Sequence, residues 1–370
     1  MIKTTKKKIL CVFGTRPEAI KMCPLVNELK KRSEFDVLVC VTGQHREMLD
    51  GVLRVFSVVP DFDLSVMKEG QGLASLTSRI LCGVDKILAS TRPDILLVHG
   101  DTTTAFASAL AAFYRKIPVG HIEAGLRSGD IFAPFPEEFD RRAVSILASY
   151  HFAPTAEARQ NLISEEIKSD RIFVTGNTVT DALKFTVRKE FVLPEFCLEK
   201  NKRMIIFTAH RRENLGEPME NMLRALVRAV EEFHDVFAVC PLHKNPKVRE
   251  TAQKILFGHE RIFCIEPPEV DVFHNLLARS YLILTDSGGI QEEAAFLGKP
   301  TLVMRRVTER QEGIEAGVLR LVGTNEENIF NETAKLLLDD KEYSVAARPT
   351  DRFGDGRVCA RICDILLKIY

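Results

Sequence analysis

The sequence contains no tryptophan, no excess of either charge and no long run of apolar residues. The absence of tryptophan disfavours a lectin-like surface that stacks sugars on indole rings. Because Lys plus Arg and Asp plus Glu both number 51, no overall field attracts nucleic acid or an acidic membrane. An anionic ligand must therefore be held by local donors.

The first apolar run, Ile9–Phe13, follows a lysine-rich stretch and is short. Its length is insufficient for a signal-peptide core or a membrane span. The nine cysteines include no C-x-x-C pair, and several lie inside apolar runs. We therefore expect reduced, mostly buried thiols in a cytoplasmic protein that neither inserts into membranes nor binds nucleic acid.

Short β-branched runs alternate with helix-length segments along almost the whole chain of 370 residues. Buried parallel strands are predicted at Ile9–Phe13, Val37–Val41, Ile95–Val98 and Val119–Ile122, and in a second series at Met204–Thr208, Val236–Val239, Ile262–Ile265, Leu282–Thr285 and Leu302–Met304. Alternation of this kind produces parallel sheets with right-handed crossovers. Two series predict two Rossmann-like, doubly wound α/β domains that face each other.

The alternation breaks between Lys184 and Lys202. We place an N-terminal domain at residues 1–185 and a C-terminal domain at 186–356, and we expect the last helix, 357–370, to join the first domain. In open parallel sheets, ligands bind outside the carboxyl ends of the strands. The polar and glycine-rich clusters of this sequence fall at those ends, so we interpret them as parts of a site.

The first cluster runs from Gly14 to Lys21, directly after the first strand. Gly14 permits a tight turn, and Pro17 suits the first turn of a helix. Free amides at that helix start, together with Arg16 and Lys21, suit a phosphate or diphosphate. Taken alone, the cluster is equally well explained as a capped turn with two solvated cations.

Two carboxylates, Asp101 and Glu123, come at the ends of two successive strands of the first domain. Carboxylates in one site push their pKa values apart, which suits one general acid and one general base. Asp101 could instead cap a helix that starts at Thr102.

A metal site is a further alternative for the same two strand ends. His99 and Asp101 are two residues apart, as are His121 and Glu123, so each pair shares one face of its strand. No third cluster has closed metal-ligand spacing, so we expect no metal.

The segment Ala133–Arg142 is rich in proline and phenylalanine. Glu137 and Arg141 are four residues apart and share a helix face. A surface ion pair would explain them, but a loop of this composition is better explained if it covers a cleft.

The second domain carries two clusters of its own. His210 ends its first strand beside two arginines, and Ser287–Gly289 separates a strand from a helix. Backbone amides at such a helix start form an anion cradle. Glu293 could bind ribose hydroxyls, and Arg310 could offset phosphate charge. A glycine-rich helix start that only packs on the sheet is the alternative.

The six clusters are Gly14–Lys21, the two strand ends at Asp101 and Glu123, Ala133–Arg142, His210 and Ser287–Gly289. In order and spacing they resemble the bacterial non-hydrolysing UDP-N-acetylglucosamine 2-epimerases, from Gly14 to about Gly323. The resemblance implies a GT-B type fold with its active site in the interdomain cleft, and a homodimer without a cofactor. It also implies reversible conversion of UDP-GlcNAc to UDP-ManNAc by anti elimination of UDP, through bound 2-acetamidoglucal, and re-addition. Such a nucleotide sugar serves polysaccharide biosynthesis.

The resemblance also assigns roles residue by residue. It implies acid–base roles for Asp101, Glu123, Glu137 and His210, and substrate binding by Arg16, Lys21, Arg141, Phe273, Ser287, Gly288, Gly289, Glu293 and Arg310. Gln44, Gln71 and His243 match an allosteric nucleotide-sugar site found in family members.

Two positions depart from the family pattern. Asp140 stands where asparagine is common, and Glu69–Gly70 precede Gln71 where a basic residue is frequent. We hypothesise that activation by substrate is present but weakened.

Three other functions fit parts of this pattern. A hydrolysing epimerase would release free ManNAc and UDP, and a GT-B glycosyltransferase would need an acceptor and would not epimerise without one. A nucleotide-sugar sensor would bind the ligand without exchanging its C2 proton. The full set of acid–base residues argues against the sensor.

Overall fold

The computed structural model describes residues 6–43, 46–67, 70–193 and 202–369. The chain divides into two compact units. Unit 1 comprises Met1–Phe185 and Gly354–Tyr370, and unit 2 comprises Thr186–Phe353. Each unit contains one parallel sheet with helices between its strands.

Unit 1 has a seven-stranded sheet in the order β3-β2-β1-β4-β5-β6-β7. Its strands are β1 (Lys7–Phe13), β2 (Phe35–Val41), β3 (Phe62–Asp63), β4 (Ile95–His99), β5 (Val119–Ile122), β6 (Tyr150–Ala153) and β7 (Ile172–Val174). Its first helices are α1 (Arg16–Lys30), α2 (Arg46–Val55), α3 (Leu73–Thr91), α4 (Thr103–Tyr114), α5 (Glu137–Leu147), α6 (Ala156–Ser164) and α7 (Val179–Thr186). The strand order reverses between β1 and β4, where doubly wound sheets bind ligands.

Unit 2 has a six-stranded sheet in the order β10-β9-β8-β11-β12-β13. Its strands are β8 (Arg203–Thr208), β9 (Val236–Pro241), β10 (Ile262–Ile265), β11 (Leu282–Thr285), β12 (Thr301–Val303) and β13 (Leu319–Leu321). Its helices are α8 (Glu217–Glu232), α9 (Pro246–Leu256), α10 (Val270–Arg279), α11 (Gly288–Leu297), α12 (Gln311–Glu315), α13 (Glu326–Leu338) and α14 (Asp340–Ala346). Here the order reverses between β8 and β11.

The last helix, α15 (Val358–Ile369), belongs to unit 1 although unit 2 separates it from the rest of that unit in the sequence. It packs against α1. Its first amides are capped by Asp181, whose carboxylate accepts from the N–H of Val358 at 3.0 Å and of Cys359 at 3.1 Å. A carboxylate at a helix N-terminus also complements the helix dipole.

The two Rossmann-like, doubly wound domains expected for a GT-B fold are confirmed. All nine predicted strands are present, with ends displaced by at most two residues. The prediction omitted β3, β6, β7 and β13, which have only two to four residues; β3, β6 and β13 also contain polar side chains. Runs this short and mixed show no clear apolar period.

Two further observations concern the described part of the chain. No helix in it is both long and apolar enough to cross a membrane. Its cysteines are free thiols, and most of them are buried, as the apolar runs around them predicted.

Candidate active site

The turn between β1 and α1 is held by the buried carboxylate of Glu18. This carboxylate accepts from the N–H of Gly14 at 3.0 Å and of Thr15 at 2.7 Å, and from the hydroxyl of Thr102 at 2.6 Å. Burial raises the pKa of Glu18, and these hydrogen bonds act in the opposite direction. The expectation of free amides for an anion is therefore wrong for Gly14 and Thr15, because Glu18 already binds both.

Gly14 is required by a close approach of two chain segments. A Cβ atom at this position would lie 1.8 Å from the Thr42 hydroxyl and 2.7 Å from the Thr104 hydroxyl. The sequence suggested a glycine chosen for a tight turn; the tertiary contact supplies the actual reason.

Glu123 follows β5 with φ of 64°, a left-handed conformation that is unusual for a residue with a side chain. Its Oε2 atom forms an ion pair with Lys21 and accepts from the Asn177 amide at 2.5 Å. His99 Nε2 lies 3.8 Å from the same oxygen. Lys21 was predicted to bind substrate, and this stays a prediction; in the structure it neutralises this nearly buried carboxylate.

Asp101 follows β4 and Glu123 follows β5, and these two strands are neighbours in the sheet. A Cβ atom built on the preceding residue, Gly100, would lie 3.4 Å from Glu123 Oε1. The alternative in which Asp101 caps a helix is wrong, because the N-cap of α4 is Thr102, whose hydroxyl accepts from Ala105 N–H at 3.0 Å. The Asp101 carboxylate instead pairs with a guanidinium, that of Arg141.

Helix α5 contributes Arg141 and three acidic residues. Glu137, its first residue, is half-buried. Glu138 is fully buried and accepts from Arg141 at 3.2 Å, Arg142 at 2.9 Å and the Ser128 N–H at 3.1 Å. The sequence did not identify Glu138, because an i,i+4 acid–base pair looks like an ordinary surface feature.

Asp140, which departs from the family pattern, is buried near Thr103, whose hydroxyl lies 3.4 Å from its carboxylate. Burial, and after it the charges of Asp101 and Glu137, raise the pKa of Asp140 to about 7. Its charge state therefore changes near neutral pH, inside the acidic cluster.

Three buried histidines occupy neighbouring strands of unit 1. His99, His121 and His151 lie on β4, β5 and β6, and His121 pairs in register with His151. Burial is the largest cause that lowers their pKa values, to about 4, 3 and 4 respectively. We expect all three to be neutral at physiological pH.

This burial predicts an acid-sensitive fold, because the unfolded chain takes up protons that the folded chain does not. Stability is lost as pH falls below about 6.5, the unfolded value, towards the lower folded pKa. At pH 5 each such histidine lowers the free energy of unfolding by about 2 kcal/mol. We expect His151→Phe to reduce by about that amount the loss of unfolding free energy between pH 7 and pH 5, measured by urea titration.

The exposed His234 supplies the control for this titration. His234→Asn removes a histidine from the surface and is measured in the same way. Equal acid sensitivity in His151→Phe and the wild type would show that His151 does not cause the loss.

In unit 2, the loop after β8 is organised by the buried carboxylate of Asp286. It accepts from the N–H groups of His210 at 3.1 Å and Arg211 at 2.9 Å, and from the Asn214 amide at 3.0 Å. His210 Nδ1 lies 3.6 Å from the same carboxylate. Asp286 directly precedes the Ser287–Gly289 turn in the sequence, but only the fold reveals that its carboxylate binds the backbone at His210.

The glycine pair opens α11 as predicted. Ser287 precedes the helix, and its N–H donates to the Thr285 hydroxyl at 3.0 Å. A Cβ atom at Gly288 would lie 3.0 Å from the guanidinium carbon of Arg310, so this cation covers the helix start. Arg310 also donates to Glu292 at 3.0 Å. A helix N-terminus and a guanidinium together attract an anion.

Glu293, one turn into α11, has a buried carboxylate. Within the described residues its Oε2 atom has no hydrogen-bond partner, and its Oε1 atom lies 3.6 Å from His274 Nε2. The other ring nitrogen of His274 bonds to Thr186 at 2.7 Å. An unsatisfied buried oxygen is costly, so a ligand hydroxyl there would be favourable. Phe273, on α10, is half-buried next to His274.

The positions of the other predicted residues, Arg16, Gln71 and His243, say less about their roles. Arg16 is the first residue of α1 and is half-buried. Gln71 donates to the Met67 sulfur at 3.1 Å, and the ring of His243 stacks on His210 at 5.3 Å. Gln44 lies outside the described residues, so the allosteric site stays a prediction. Within the described residues, no group of three or more side chains is placed to hold a metal ion.

A family model described as UDP-N-acetylglucosamine 2-epimerase matches residues 27–367. The chain is 55% identical over 365 residues to the UDP-N-acetylglucosamine 2-epimerase of Bacillus subtilis (strain 168), covering 99% of this chain and 96% of the relative.

Solved structures agree with these matches. The UDP-GlcNAc 2-epimerase from Neisseria meningitidis, bound to UDP-GlcNAc, superposes with a TM-score of 0.92 at 44% identity, over 98% of this chain and 100% of the other. The enzyme from Methanocaldococcus jannaschii, in complex with UDP-GlcNAc and UDP, has a TM-score of 0.83 at 32% identity, over 98% of this chain and 99% of the other.

Proposed function

The chain belongs to the UDP-N-acetylglucosamine 2-epimerase family, and we propose that it interconverts UDP-GlcNAc and UDP-ManNAc by inverting the configuration at C2. One observation carries this proposal: Asp101 and Glu123 follow neighbouring strands at the carboxyl edge of the sheet in unit 1, and each is paired with a cation. Acidic groups held in this way suit proton removal and delivery.

The reaction we propose is an elimination followed by an addition. A base removes the C2 proton, the C1–O bond breaks, and UDP leaves with the bonding electron pair, so that 2-acetamidoglucal stays bound. A proton is then delivered to the opposite face of C2, and UDP adds back to C1. Asp101, Glu123 and Glu137 provide the acid–base groups of unit 1, and His210 provides that of unit 2.

Departure of UDP requires that the negative charge developing on the diphosphate be stabilised. We assign this to unit 2, where the amides after Ser287 and the Arg310 guanidinium stand at the start of α11. Donors that are already in place cost no reorganisation when the bond breaks. Glu293 would accept from a ribose hydroxyl, and Phe273 would contact the nucleotide. Arg16, Lys21 and Arg141 would bind the substrate. Lys21 and Arg141 would also neutralise Glu123 and Asp101.

We also propose that the enzyme works as a cytoplasmic homodimer without a cofactor, and that its product supplies polysaccharide biosynthesis. The oligomer can be tested directly by light scattering of the purified protein. A mass of one chain at micromolar concentration would contradict the dimer.

The function is tested by incubating pure protein with UDP-GlcNAc in deuterated water and following the products by proton NMR. We expect a mixture of the two nucleotide sugars with deuterium at C2. Free ManNAc with UDP would support the hydrolysing alternative. Binding without exchange would support the sensor, and activity only with an added acceptor would support the glycosyltransferase.

Metal removal should have no effect on turnover, because the proposed elimination uses side-chain acids, bases and cations alone. The measurement is the epimerisation rate before and after dialysis against EDTA. Complete loss of activity that a divalent ion restores would support the alternative of a metal site formed by His99, Asp101, His121 and Glu123.

A further inference from the structure

Asn177 contacts Glu123 from the loop that follows β7. It is buried, and its Nδ2 atom donates to Glu123 Oε2 at 2.5 Å. Its Oδ1 atom accepts from the Val179 N–H at 3.1 Å. Because the oxygen of the amide is bound to an N–H donor, the nitrogen must face Glu123, so the orientation of this amide is fixed by its own partners. A donor aimed at a carboxylate favours its ionised form.

The loop that carries Asn177 is held by the far end of the chain. The Thr180 hydroxyl donates to the Asn177 carbonyl at 3.0 Å and accepts from the Gly356 N–H at 3.2 Å. Asp181 caps α15, and the Arg361 guanidinium donates to the Thr175 carbonyl. The contacts made by Gly356, α15 and Arg361 join residues more than 170 positions apart, all within unit 1.

Gly354 shows how closely the two segments approach. Its φ is 135°, and a Cβ atom there would lie 2.7 Å from the Thr180 hydroxyl and 3.3 Å from the Asn177 carbonyl. Any side chain at this position would strain the backbone and push on the loop that holds Asn177.

We propose that Asn177 is a positioning residue for Glu123, and that the C-terminal segment 354–361 holds Asn177 in place. Glu123 has a left-handed backbone, and its ion-pair partner, Lys21, carries its charge on a long four-carbon side chain, so a short amide bonded at both ends restricts the position of the carboxylate further. The short asparagine side chain, bonded at both ends, supplies that contact. This inference rests on the proposed function, in which Glu123 exchanges a proton with C2.

The test compares Asn177→Ala and Asn177→Asp with the wild type. Loss of a hydrogen bond to a charged group should lower kcat about 10- to 100-fold. KM should change little, because Asn177 acts through Glu123 and not on bound substrate. Asn177→Asp keeps the size and the acceptor but places a second carboxylate beside Glu123. The acidic limb of its kcat profile should therefore move to higher pH.

Two further variants separate positioning from simple loss of stability. Asn27→Ala removes a side-chain amide that donates to the Phe56 carbonyl at 2.8 Å in the same unit, away from the site, and should retain the wild-type kcat. Gly354→Ala should lower kcat in the direction of Asn177→Ala, since it displaces the same loop. Circular dichroism of each variant should show the wild-type spectrum.

A readout that does not depend on turnover is the titration of the Glu123 carboxyl, followed by carbon NMR and assigned with Glu123→Gln. Both Asn177 variants should move this titration to higher pH. Folded variants with wild-type kcat, pH profile and Glu123 titration would overturn the proposal. A wild-type enzyme that does not exchange the C2 proton would refute the proposed function instead, and the titration would still decide the role of Asn177.

Discussion

Glu123→Gln and Asp101→Asn should each lower kcat by about 10²- to 10⁴-fold while leaving the fold intact. Each substitution keeps the size of the side chain and removes its ability to carry a proton at working pH. Both carboxylates are paired with cations, Lys21 and Arg141, which lie close enough to contact them directly. The amides still accept from these partners, so the loss should fall on chemistry more than on stability.

The measurement is turnover at saturating UDP-GlcNAc, together with deuterium incorporation at C2. If one residue removes the proton from UDP-GlcNAc and the other serves the opposite face, the two variants should differ in which substrate still exchanges. Asp85→Asn is the matched control, because Asp85 pairs with Arg115 in an exposed position of the same unit. Near-normal rates in both active-site variants would remove Asp101 and Glu123 from the mechanism.

Asp286→Ala should destabilise unit 2 by about 3 kcal/mol or more and weaken UDP binding by at least about tenfold. The carboxylate is fully buried and accepts from two backbone N–H groups and the Asn214 amide. Its removal leaves these donors without their acceptor, and each unsatisfied buried donor costs about 1–3 kcal/mol. The loop that bears His210 and the turn at Ser287 would both lose their anchor.

Urea unfolding and calorimetric titration with UDP would measure the two effects. Asp235→Ala is the matched control, since Asp235 forms a more exposed ion pair with Arg203 in the same unit. Such a pair contributes about 1 kcal/mol or less. If Asp286→Ala were no more destabilising than Asp235→Ala, Asp286 would not organise the loop.

The sequence located the polar residues at the strand ends correctly but did not predict which residues they contact. Lys21 was assigned to substrate binding, but it pairs with the carboxylate of Glu123. Asp101 was considered as a helix cap, but it pairs with the guanidinium of Arg141. Both partners lie more than 35 positions away in the sequence. Spacing along the chain reports only on neighbours of the same helix or strand. Contacts between Lys21 and Glu123, or between Asn177 and Glu123, require the sheet order to be known.

Glu18 and Glu138 illustrate a second limit. In the sequence each reads as part of a helix start with nearby cations or hydroxyls, which normally lies in solvent. In the structure both are almost fully buried and hold backbone amides of adjacent loops. How deeply a side chain is buried depends on the packing of helices against the sheet. The amphipathic pattern of one helix does not show whether its first turn is covered by other segments.

The alternation of apolar runs with helices, and the glycines and charged residues at strand ends, were sufficient to predict two doubly wound domains and the clusters at the strand ends; the roles of individual residues, and Phe273, Gln44, Gln71 and His243, came from the family resemblance. This succeeds because periodicity and turn chemistry are local properties of the chain. The tertiary structure alone decided which charges meet, which carboxylates are buried and which loop the last helix secures, because those pairings join strands and helices that are distant in sequence. In unit 1 the outcome is a carboxylate, Glu123, held by residues from α1 and from the loop after β7.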